Sequence, residues 1–269
     1  MISFLMSQSG ILETPIIELS WLDILLAAGL IMMAAGLARW QRVDMTRDIL
    51  IGAVRAVVQL VLVGYVLVYI FQLDSWPLVL LALLVMLVVA TRTAVGRQIA
   101  KPSPVLHGIV GSAMLIGSVF TLIYVGAVVR MDPWYNPRYL IPLFGMIVGN
   151  AMNTAALAAE RLAGEVDARR AEIETYLALG AAPAFATRVA VRRAIRASMI
   201  PMVNSLMVVG VVALPGMMTG QILAGASPLT AVRYQILVMF MLMAAVTITG
   251  TLVALQYRKS FFTASDQLR

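Results

Sequence analysis

Seven apolar windows, at residues 16 to 38, 49 to 72, 76 to 95, 105 to 129, 137 to 159, 199 to 225 and 231 to 257, follow one another along the chain. Each is long enough for one bilayer crossing, which takes roughly 20 apolar residues. Hydrocarbon offers the backbone no water, so a spanning segment of this length must close its own N–H and C=O bonds as a helix. The expected fold is therefore all-α, a polytopic integral membrane protein with about seven transmembrane helices. Composition agrees: 12% of residues are charged and the mean hydropathy is +0.93, whereas soluble domains carry about 25% charge. Spans and links consume the 269 residues, so residues 1–269 are expected to form a single transmembrane domain. The opening MISFLMSQSG has no basic stretch ahead of an apolar core, and the first span is expected to be retained rather than cleaved.

Basic residues set the expected orientation. With the N-terminus outside, all of the 20 except Arg55, Arg130, Arg138 and Arg233 fall in cytoplasmic segments, the bias that fixes topology in membranes. The C-terminus and residues 160–198 are then cytoplasmic. The outer links QLDSWP, RMDPWYNPR and GASP are rich in turn formers, and Trp21, Trp40, Trp76, Trp134 and Tyr135 suit the membrane–water interface. The charge of +7 is accounted for by this dispersed pattern, so no nucleic-acid partner is expected. There is no Cys, and His107 is the sole His, which leaves neither thiolate sites nor a recognisable nucleophile–base pair.

One link is long. Residues 160–198 include EIETYLALGAAPAFATRVAVRRAIR at 172–196, which reads as two helices about a turn, with Gly180 as a C-terminal cap and Pro183 in the first turn of the second helix. Arg188, Arg192 and Arg196 recur every four residues on one face, with Ala186, Ala190, Ala194 and Ala197 across from them. No acidic residue lies between Glu174 and Asp266, so these guanidinium groups have no partner in their own helix. Two destinations fit: the phosphates of anionic lipid, or the carboxylates of a docked protein. ETYLALGAAP resembles the coupling loop of permease subunits of ABC importers, a Glu-Ala-Ala sequence followed by Gly and a small-residue-Pro step. It departs at Thr175 and Tyr176, which replace the two Ala, and at Arg192 and Arg193, near where a Leu-Pro pair stands. The resemblance implies Glu174, Gly180, Pro183, Arg188, Arg192 and Arg196 as the surface that meets an ATPase.

The window 199–225 contains ALPGMMTGQILAGASP. Gly216 and Gly220 suit close helix packing as G-x-x-x-G; alternatively Pro215 and the glycines break the helix where it lines a pathway. Polar groups at membrane depth are functional candidates, which gives Asn150, Asn153, Asn204, Pro215, Met217, Met218, Gln221 and Gln235 as expected pathway residues, with interhelical hydrogen bonding as the competing role of the amides. Arg55 and Gln59 share a face of the second span. Glu18 and Asp23 are weak candidates for attracting a cation. The 18 Met include Met217-Met218 and Met239, Met241 and Met243; thioethers favour soft ions, though Met more often fills gaps between helices.

Taken in order, GYVLVYIF at 64–71, GMIVGNAMN at 145–153, LGAAP at 179–183, IRASMIPMVNS at 195–205, LPGMMTGQILAGASPLTAVRYQI at 214–236 and VMFML at 238–242 resemble the FetB family. These are permease subunits of iron-export ABC transporters, related to plant permeases involved in aluminium tolerance. The resemblance covers about residues 45–258. It implies a permease of bacterial inner-membrane type, two copies pairing with two cytoplasmic ATPase subunits, ATP and Mg residing in the partner, and iron or another metal ion as cargo. The chain itself is not expected to be an enzyme: a phosphate-binding loop needs G-x-x-x-x-G-K-[ST], and neither Lys101 nor Lys259 follows a Gly. The alternative is a stand-alone ion channel or secondary metal-ion carrier whose Arg helix rests on lipid.

Overall fold

The computed structural model describes residues 20–73, 75–96, 104–130, 132–263 and 265–269. These fall into two compact units that meet in sequence at residue 74. In the first, α1 (Trp21–Trp40) and α2 (Thr46–Leu73) pack as a hairpin. Ser20 caps α1: its side chain accepts from the Asp23 amide, and the Asp23 carboxylate in turn accepts from the Ser20 amide at 2.9 Å and hydroxyl at 2.8 Å, which closes a capping box around otherwise unpaired donors. Arg42, at φ +55°, turns the chain into the link before α2.

The second unit contains α3 (Trp76–Gly96), α4 (Pro104–Val129), α5 (Pro137–Ala168), α6 (Arg170–Ala178), α7 (Pro183–Ala186), α8 (Arg188–Val208), α9 (Gly216–Leu223), α10 (Pro228–Tyr257) and a 3-10 turn (Arg258–Phe261). Helices α5 and α10 are its axis. α10 packs on α4, α5, α8 and α9, while α5 also takes α3, α4 and α8. Small side chains let these helices approach: Ala151, Ala155, Ala158 and Ala159 of α5 and Ala245 and Ala254 of α10 are wholly buried. A Cβ built on Gly250 of α10 would lie 2.9 Å from Ser198 Oγ of α8 and 3.0 Å from Thr154 Cγ2 of α5. At that point the three helices are as close as glycine permits.

Among the described residues, six helices are long and apolar enough to cross a membrane: α1, α2, α3, α4, α5 and α10, the last counted together with the turn that follows it. The expected span at 199–225 is not one helix. α8 ends at Val208; Gly210 adopts φ +83°, Val209 bridges Ala213, and Pro215 caps α9. Pro215 supplies no N–H and disfavours helical backbone at Leu214, while Gly210 takes the left-handed region that other residues avoid. The first half of α8 carries the arginines and therefore lacks the apolar length of a span. At the other extreme, α5 has 32 residues, about 48 Å at 1.5 Å per residue, against the roughly 30 Å of hydrocarbon. Its C-terminal turns extend beyond the window that hydropathy marked at 137 to 159.

Candidate functional site

At the end of α5 the chain bends at Arg169 and α6 runs to Ala178. Gly180, at φ +82°, closes α6: its amide donates to the Leu177 carbonyl and the Ala181 amide to the Tyr176 carbonyl, the paired bonds of a Schellman cap. Pro183 then opens α7 from an extended Ala182. Tyr176 and Phe185 meet edge to face at 5.7 Å across the turn. The result is a helical elbow with its own core, in which Leu162, Val166, Ile173, Ala190 and Ala194 pack with Ala254 of α10 and Phe262. Leu179 at the tip is 79% exposed and Phe185 57%.

The charges of the elbow divide into two groups. Glu165 accepts from Arg169 at 3.4 Å and Arg193 at 3.3 Å, Glu172 binds Arg169 at 2.8 Å, and Glu174 binds Arg170 at 3.0 Å. Arg170 also donates to the Arg269 carbonyl at 3.0 Å. By contrast Arg188, Arg192 and Arg196 are exposed and pair with no carboxylate among the described residues. Residues 265–268 come to rest beside the turn, forming a groove of about 770 Å³ lined by Glu174, Gly180, Pro183 and Leu268. Sequence reasoning did not anticipate this terminal wall; Phe261, Phe262 and Leu268 are its only apolar signal.

The break after α8 borders a second feature, a cavity of about 310 Å³ between α5, α8, α9 and α10. Of the expected pathway residues it brings together Asn150, Pro215, Met217 and Gln235, and it adds Met146, Met202, Ser205 and Met239. Asn150 donates from Nδ2 to the Met146 carbonyl at 2.8 Å. Gln235 is 6% exposed, and its Oε1 has no hydrogen-bond partner among the described residues. Gln221 Oε1 is likewise buried without a partner, but Gln221, Met218, Asn153 and Asn204 do not line this cavity; Asn204 is exposed. The additions had a signal in the sequence, since Met146 and Asn150, and Gln235 and Met239, stand four apart and share helix faces. A larger groove of about 500 Å³ on α3, α4 and α5 is lined almost wholly by Leu, Val, Ile, Phe and Trp side chains and offers no comparable polar group.

The elbow and the cavity are joined by the same three helices. Along α5 the order is Asn150, Thr154, Leu162; along α8 it is Met202, Ser198, Ala194; along α10 it is Gln235, Gly250, Ala254. The first of each set lines the cavity, the second forms the Gly250 contact, and the third lies in the elbow core. Asp23 is occupied in the α1 cap, and Glu18 lies outside the described residues. Among the described residues no three His, Cys, Asp or Glu side chains group to hold a metal ion.

Comparison with known proteins gives one consistent set. The profile of an uncharacterised protein family, UPF0014, matches residues 21–262. The UPF0014 membrane protein slr1647 of Synechocystis is 43% identical over 96% of this chain and 99% of its own length. Protein ALUMINUM SENSITIVE 3 of Arabidopsis thaliana is 35% identical over 89% of this chain and 86% of its own. FetB of Escherichia coli, named a probable iron export permease protein, is 36% identical over 90% and 92% respectively. No solved structure matches.

Proposed function

We propose that this chain, which belongs to the UPF0014 family and is a multi-pass membrane protein, is the permease subunit of an ABC transporter that exports a metal ion. The observation that carries the reading is the elbow. Its turn is fixed by Gly180 and Pro183, its tip presents Leu179 and Phe185, and Arg188, Arg192 and Arg196 stand beside it with no carboxylate partner among the described residues. An apolar tip flanked by unpaired guanidinium groups suits an acidic-rimmed cleft in a protein partner. On this reading the partner is a cytoplasmic ATPase that holds ATP and Mg, two permeases pair with two ATPases, and the N-terminus lies outside. Iron is the cargo named for the FetB relative, and it is the cargo proposed here.

In the proposed cycle, ATP binding in the partner displaces the elbow as a unit, because its core is continuous. The displacement reaches the cavity through α5, α8 and α10, with their close contact at Gly250 as the pivot. Asn150 and Leu162 are 12 residues apart on α5, so the lever spans about 18 Å. Affinity purification from native membranes in mild detergent, with mass spectrometry of companions, tests the reading. A stoichiometric companion carrying G-x-x-x-x-G-K-[ST] is expected; its absence, where known transporter complexes survive, returns the arginines to lipid and favours a carrier.

A further inference from the structure

We infer that the cavity between α5, α8, α9 and α10 is a binding site for a soft monovalent cation, of the class of cuprous or silver ion, held by methionine sulfur with amide oxygen. The lining supplies four thioethers, from Met146, Met202, Met217 and Met239, and two amides, from Asn150 and Gln235. Their arrangement is specific to the fold: the sequence scatters them over α5, α8, α9 and α10, and only the break at 209–215 brings α9 back beside the other three.

A further observation points to a ligand. Gln235 lies 94% inside the protein with its Oε1 unpartnered, a cost that buried polar groups usually escape by pairing. Asn150, also in the lining, has its Nδ2 bound to the Met146 carbonyl. Gln235 therefore has a carbonyl oxygen free to receive a cation. The lining contains no Asp or Glu, which favours a guest of low charge, since the desolvation cost of an ion grows with its charge and no carboxylate here offsets it. Thioethers discriminate further, favouring Cu(I)-type ions over those that seek carboxylate or water. As a ligand of the cavity this cation does not rest on the permease reading, whose proposed cargo is iron.

The test uses the full chain in nanodiscs and silver(I) nitrate in chloride-free buffer, followed by equilibrium dialysis. The cavity variant carries Met146→Leu, Met202→Leu, Met217→Leu and Met239→Leu, swaps that keep volume and apolar character. The control carries Met32→Leu, Met33→Leu, Met45→Leu and Met207→Leu, all exposed positions. The wild type and control are expected to bind one silver ion per chain that the cavity variant binds at least tenfold more weakly. Gln235→Leu alone is expected to weaken binding at least threefold while its melting temperature does not fall, which separates a lost ligand from a lost fold. Equal silver binding by the cavity variant and wild type overturns the site, as does anaerobic Fe(II) occupying the cavity in preference to silver. Copurification of an ATPase is read separately, so the site and the permease reading fail independently.

Discussion

Gly250→Ala is the perturbation whose size the structure fixes best. Carbon contacts are comfortable at about 3.5–4.0 Å; the new methyl would stand 2.9 Å from Ser198 Oγ and 3.0 Å from Thr154 Cγ2. Ser198 and Thr154 are 2% and 5% exposed, and neither yields freely. Ser198 Oγ donates to the Ile195 carbonyl at 2.9 Å and Thr154 Oγ1 to the Asn150 carbonyl at 3.0 Å, so rotating either away forfeits a bond worth about 1 kcal/mol. Overpacking of this kind costs about 1–3 kcal/mol. Adding Ser198→Ala and Thr154→Ala removes both obstructing atoms and should recover at least half of the loss, a coupling in the range of about 0.5–3 kcal/mol found for residues in contact. Denaturation by SDS in mixed micelles measures each term. Simple addition of the three costs would refute the close three-helix contact, and with it the pivot.

Other consequences follow from the same geometry. Gly180→Leu puts a branched side chain at φ +82°, costing about 1–2 kcal/mol locally, and is expected to lower ATPase copurification severalfold while membrane insertion stays normal. Glu174→Ala removes only an exposed pair with Arg170, worth about 0.5 kcal/mol or less; any large drop in copurification would then report docking rather than stability. Asn136→Cys, in the link between α4 and α5, is expected to react with a membrane-impermeant maleimide from outside intact cells, and labelling only after lysis would reverse the orientation.

The sequence made much of this legible because hydropathy and caps are local. The windows for α2, α3, α4 and α10 lie close to their helices, and Gly180 and Pro183 sit where capping chemistry put them. Three features escaped for physical reasons. α5 continues to Ala168 because Ala, Leu and Glu keep a helix going after the apolar window ends, and the bend at Arg169 has no sequence marker. A break at Pro215 is one of the two readings of this span, and what escaped was its start: VGVVALP at 209–215 is as apolar as a helix, so hydropathy reads through Gly210, where the hydrogen-bond ladder ends. The cavity depends on which faces of four helices converge. Gln235 and Asn150 were evident as amides at membrane depth, whereas Met146, Met202 and Met239 looked like the packing methionines that surround them.

The central claim, that the elbow is the contact with a motor subunit, is tested most directly by a crosslink from its tip. The chain has no Cys, so Leu179→Cys gives a single thiol on a side chain 79% exposed. With a short bifunctional thiol-to-amine reagent in native membranes, the predicted product is a near one-to-one adduct with a protein carrying G-x-x-x-x-G-K-[ST], with a yield that changes when ATP is added. Adducts confined to lipid amines, with no such protein captured, would contradict it.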